Sequence, residues 1–76
     1  MTNSQINKAF VSSLTSQMKN IIISNIASHY GIDATEVESE IYDDEAENIM
    51  DYITGSTRSA ISIIYQKFIY TAGYIC

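Results

Sequence analysis

All nine carboxylate side chains of this chain fall between Asp33 and Asp51, in DATEVESEIYDDEAENIMD, a stretch without a Lys or Arg. Carboxylates grouped this tightly suit three kinds of chemistry: cation binding, paired acid–base catalysis, and attraction of a basic macromolecule. A calcium loop of the EF-hand kind needs oxygen ligands at alternate positions, a central Gly and a closing Glu, and no such loop is present. Di-iron bundles place Glu-x-x-His on paired helices, whereas the single His29 follows Ile26 at that spacing. Glycosidic chemistry with two carboxylates needs a cleft, which 76 residues barely provide. A thiol nucleophile would have to be Cys76, the last residue, working with His29, and chain ends fray. The sequence therefore reads as no enzyme, with no metal and no cofactor, and with a surface that attracts basic partners.

The four cations, Lys8, Lys19, Arg58 and Lys67, all lie outside the acidic stretch, and the net charge is −5. That sign argues against direct contact with nucleic acid or an anionic membrane, because both attract basic surfaces. A single Cys excludes an intrachain disulfide and points to a reducing, cytoplasmic compartment. The start, MTNSQINKAF, lacks the basic and apolar regions of a signal peptide, and apolar runs such as Ile21–Ile23 are far too short to cross a bilayer.

The elements that must carry these residues are helical, and the fold expected is all-α: a small single-domain bundle over residues 1–76. Apolar residues recur four apart at Ile6, Phe10, Leu14, Met18 and Ile22, without Pro or Gly, so one long helix is expected over about 3–30, capped by Thr2, Asn3 or Ser4 and stopped at Gly31. At about 100° per residue, Ile6, Phe10, Val11, Leu14, Met18 and Ile21 share one side, whereas Ile22, Ile23, Ile26, Ala27 and Tyr30 drift round it. One small core cannot use both sides of a straight helix. The N-terminal half is therefore expected to pack on a second protomer, with Ile6, Phe10, Leu14 and Met18 in a homodimer interface. Oligomerisation also suits a domain this small, which buries only about 60% of its unfolded surface.

A capping box follows: Asp33 as N-cap, Glu36 at N3, and Ile32 stapled to Val37. It predicts a short helix over 34–42. Asp43, Asp44 and Glu45 read as a further helix start, with Ala46, Ile49, Met50 and Ile53 at i, i+3, i+4, i+7, so a third helix is expected over 44–54 before Gly55. Ser56 or Thr57 caps the last helix, over 57–72, whose face of Ala60, Ile61, Ile64, Tyr65, Phe68, Ile69 and Ala72 turns inward. On its other side Ile63 and Tyr70 stack seven apart, and with Tyr74 they form a second candidate contact surface. Tyr30 and Tyr65 are expected at the core boundary, and His29 against the last carbonyls of the first helix.

Ile26 to Val37 also has the spacing of a helix-turn-helix corner. A reading helix beginning at Ala34 would present Glu36, Glu38 and Glu40 to phosphate with no Arg or Lys of its own, so the pattern is taken as a packing corner.

The run His29–Lys67 resembles a pattern in small proteins of bacterial plasmids, phages and integrated elements, through His29, Tyr30, Gly31 and Ile32, then Asp44, Ala46, Glu47, Asp51 and Tyr52, then Gly55, Arg58 and Ala60. The resemblance implies a mobile-element origin, where small acidic proteins often inhibit host defence or nucleic-acid enzymes. It transfers no functional residue.

The leading expectation is a non-enzymatic interaction module whose acidic face, Glu38, Glu40, Asp43, Asp44, Glu45, Glu47 and Asp51, docks on a basic protein surface, with Glu36 beside them. One alternative is a nucleic-acid mimic that blocks a defence nuclease. Another is an assembly subunit that uses Ile63, Tyr70, Tyr74 and Ile75 as apolar contacts. The plainer account of the carboxylates is a solvated surface.

Overall fold

The computed structural model describes residues 1–73, which form four α-helices: α1 (Asn3–Ser13), α2 (Ser16–Tyr30), α3 (Ala34–Ile41) and α4 (Ser56–Ala72). One 3-10 turn, Ile49–Asp51, lies between α3 and α4, and the described residues contain no strand. Tyr74, Ile75 and Cys76, which carried part of the expected contact surface, lie outside the described residues.

The single long helix expected over 3–30 is two helices. Leu14 (φ −85°, ψ 154°) and Thr15 (φ −66°, ψ 159°) are both extended, and the Thr15 side chain accepts from the Met18 N–H to open α2. The cause is local chemistry that periodicity does not register. Ser12, Ser13, Thr15 and Ser16 compete for backbone hydrogen bonds, and Ser13 Oγ already donates back to the Phe10 carbonyl at 2.6 Å. At the front of α1, Thr2 and Gln5 form the reciprocal capping box.

This break removes the reason for placing α1 on a second protomer. With the phase reset at Leu14–Thr15, the two apolar stripes converge, and Phe10 and Val11 of α1 share one core with Ile22, Ile23 and Ile26 of α2. Phe10 is fully buried, its ring edge-on to Tyr65 at 5.1 Å and to Phe68 at 5.3 Å. Ile6 and Leu14 are partly buried against the same cluster, and Met18 stays partly exposed.

Helix α3 packs on α2 and α1, burying Val37 and Ile41. Asp33 caps it as expected, its Oδ1 accepting from the Thr35 N–H at 3.1 Å, but Glu36 does not return the bond. Gly31 takes the left-handed φ of 66° that ends α2. His29 does not cap the carbonyls of that helix; its Nδ1 is 3.0 Å from Thr54 Oγ1.

The expected helix over 44–54 does not form either. Ala46, Ile49, Met50 and Ile53 are buried as its pattern required, yet the backbone carrying them is a turn, an irregular stretch and the 3-10 turn. Two Asx-type bonds win locally: Asp43 Oδ1 accepts from the Glu45 N–H at 2.9 Å, and Asn48 Oδ1 from the Met50 N–H at 2.9 Å. At α4, neither Ser56 nor Thr57 is the cap; Gly55 (φ 78°) holds that position without a side-chain bond.

Candidate functional site

The acidic residues past α3 stand on an irregular segment, so other side chains must hold its shape. The main one is Asn7, on the buried stripe of α1 and fully inaccessible. Its Nδ2 donates to the carbonyls of Ile41 at 2.7 Å and Glu47 at 2.9 Å, and its Oδ1 accepts from the Ile49 N–H at 2.8 Å. The Ile41 carbonyl is one of the orphan acceptors at the end of α3, so Asn7 finishes that helix and starts the next turn with one carboxamide. Ser4 Oγ donates to the Tyr42 carbonyl beside it.

From the other side, Asn48 Nδ2 donates to the Tyr65 hydroxyl at 2.6 Å, and Arg58 Nη1 donates to the carbonyls of Met50 and, at 3.1 Å, of Ile53. The Glu47 N–H donates to the Tyr52 hydroxyl at 3.2 Å. Tyr30 donates to the Asp51 carbonyl at 3.3 Å and meets the Tyr52 ring edge-on at 5.9 Å. Backbone groups are thus taken up while the side chains of Asp44, Glu45, Glu47 and Asp51 stay in water.

Three of the expected acidic residues are brought together. Glu40, Asp43 and Glu45, with Ala46 and Tyr52, line a recess of about 260 Å³. An apolar hollow of about 210 Å³ adjoins it, lined by Ile26, Tyr30, Ile32, Glu40 and Tyr52. Glu40 and Tyr52 belong to both. No three His, Cys, Asp or Glu side chains among the described residues are gathered closely enough to hold a metal ion. The recess therefore offers spread negative charge beside aromatic and aliphatic surface.

Glu38 is set apart, since its carboxylate meets Lys19 Nζ at 2.9 Å in the one ion pair of the described residues. The hydrogen bond and charge of Glu38 hold the Lys19 ammonium above its ordinary 10.5. Burial, and then the Glu38 charge, raises the Tyr42 phenol above 10.0. Asp44, Glu47 and Asp51 are exposed and outside the recess lining.

The apolar candidates divide. Ile63 and Tyr70 on α4 are 71% and 79% exposed, whereas Phe10 has no surface to offer a partner. A larger, open groove of about 600 Å³ runs along α2 from Gln17 to Ser28 and meets Thr57, with no ionisable side chain in its lining. Asn25 Oδ1, on that helix, is buried without a hydrogen-bond partner.

Asn7 and Asn48 were not singled out by sequence reasoning, Ser4 entered only as a candidate helix cap, and Arg58 only as a cation and a residue of the resemblance. Only Asn7 left a usable sign: a polar residue three and four positions before Phe10 and Val11, on the stripe that has to face the core. Among the described residues no helix is long and apolar enough to cross a membrane. No family model, no curated protein and no solved structure matches this chain.

Proposed function

We propose that this chain is a non-enzymatic interaction module whose acidic segment docks on a basic protein surface, with a partner Lys or Arg side chain entering the Glu40–Asp43–Glu45 recess. One observation carries the reading: these three carboxylates surround a recess that also presents Tyr52 and opens onto an apolar hollow. A long cationic side chain has the matching parts, an apolar stem and a charged head. The stem lies against Tyr52 and Ile32, and the head takes the carboxylates.

Magnitudes divide the work between the two halves. Exposed ion pairs contribute only about 0.2–1 kcal/mol each, so the carboxylates mainly steer the encounter and select for charge. The apolar and aromatic contact supplies most of the affinity, through area and cation–π attraction of about 0.5–1 kcal/mol at an exposed ring. The backbone under the recess is held by Asn7 and Asn48, which lowers the ordering cost of binding.

Affinity capture of partners at rising salt, with the wild-type chain and with Glu40→Gln, Asp43→Asn and Glu45→Gln combined, tests this reading. Basic partners should be lost from the triple variant, and on-rates should fall steeply with salt. Retention of every partner by the triple variant at high salt would sink it.

A further inference from the structure

We propose that the outward face of α4, built on Ile63, Lys67 and Tyr70, docks into the Glu40–Asp43–Glu45 recess of a second copy, so that the chain associates head to tail. Ile63 and Tyr70 are among the most exposed large apolar side chains of the described residues, at 71% and 79%. Seven residues apart on a helix, they stand nearly one above the other, with Lys67 between them, about 40° round from Ile63 and about 60° from Tyr70. Lys67 is exposed and makes no ion pair among the described residues. Residues 56–72 contain no Asp or Glu, so nothing on α4 opposes an acidic partner.

The complement to this face is on the same molecule, out of its own reach. The inner side of α4 carries Ile61, Tyr65 and Ile69, and Tyr65 and Arg58 bind Asn48, Met50 and Ile53, at and just past the end of the acidic stretch. Ile63 lies about 200° round the helix from Tyr65, so its face points away from that stretch. Within one chain the cationic face and the recess cannot meet, whereas between chains they match in kind. The Lys67 head meets carboxylates while Ile63 and Tyr70 flank it with the apolar area that the hollow beside Tyr52 receives. Two different surfaces in contact form a heterologous interface, which passes from copy to copy into a ring or an open chain. The proposal rests on the functional reading above in one respect, that the recess accepts a cation.

Sedimentation of the full chain at low and high salt, over a wide concentration range, tests it. The wild-type chain should grow past dimer as concentration rises, with association about tenfold weaker in high salt. A face variant, Ile63→Ser with Lys67→Ser, and a recess variant, Glu40→Gln with Asp43→Asn, should each stay monomeric with unchanged helical circular dichroism. Mixed, they should form a one-to-one pair and nothing larger, because one keeps the face and the other the recess. A wild-type chain that is monomeric throughout overturns the proposal, as does a recess variant that associates like wild type. Titration with a Lys-rich peptide separates the two readings: a monomeric wild type that still binds it defeats self-association alone, and a recess variant that binds it undiminished defeats the functional reading.

Discussion

Removing the Asn7 carboxamide should do more damage than any other polar truncation in this chain. Asn7→Ala leaves two carbonyls and one N–H without their partner, the Ile41 carbonyl and Ile49 N–H in fully buried contacts and the Glu47 carbonyl in a partly buried one. An unsatisfied buried group costs about 1–3 kcal/mol. Water entering the vacated space relieves the Glu47 carbonyl first, so we take the low end for all three, a loss of about 3 kcal/mol. Total stability for 76 residues is about 4–11 kcal/mol, so the variant sits near the edge of folding. Urea unfolding should show a midpoint lower by about 3 M, at a slope of about 1 kcal/mol/M. Hydrogen exchange supplies a local readout, because the Ile49 amide should lose its protection before the amides of α2 do. Asn7→Asp keeps the acceptor for Ile49 but faces two carbonyls with a carboxylate, so it should be worse than Ala at neutral pH. Its native carboxyl pKa is raised, so stability returns as pH falls through the carboxylate range and a proton restores one donor. A loss below about 1 kcal/mol for Asn7→Ala, or an Ile49 amide as protected as in wild type, would show that Asn7 does not hold the segment.

Thr15→Ala should cost about 1 kcal/mol by removing the cap that opens α2, measured as a shift in the urea midpoint at constant slope. Arg58→Met should lose about 1–3 kcal/mol, and equally so at low and high salt, because its partners are neutral carbonyls; a loss that vanishes in salt would mean an ion pair instead. Stability should hold up to about pH 10 and decline above it. The unfolded chain ionises Tyr42 and deprotonates Lys19 first, so stability present below their ordinary 10.0 and 10.5 is lost as pH rises through the raised native values. Tyr42→Phe should flatten part of that decline in a pH series of thermal melts, and an unchanged decline would remove Tyr42 as a cause.

The sequence carried side-chain destinations better than backbone paths. Ala46, Ile49, Met50 and Ile53 are buried as their spacing required, although the helix inferred from that spacing is absent. Burial pattern records which residues leave water, and a turn bound by Asp43 and Asn48 meets the same demand. The break at Leu14–Thr15 was written in the Ser/Thr cluster around it, and reading period over capping chemistry hid it. That one error also produced the expectation of a partner for α1. Of the acidic positions, the roles of Asp33 and Asp43 in backbone bonding follow from residue type. The gathering of Glu40, Asp43 and Glu45 with Tyr52 depends on contacts made 34 to 42 residues away by Asn7, which no local window contains.

The side-chain hydrogen bonds of Asn7 go only to main-chain atoms of Ile41, Glu47 and Ile49, and those of Arg58 only to main-chain atoms of Met50 and Ile53. The fold therefore reads the course of this segment and ignores what several of its residues display. Asp44, Glu45, Glu47 and Asp51 are replaceable letters on a fixed frame, and a randomised library at these four positions should yield chains that differ in recognition while sharing one architecture.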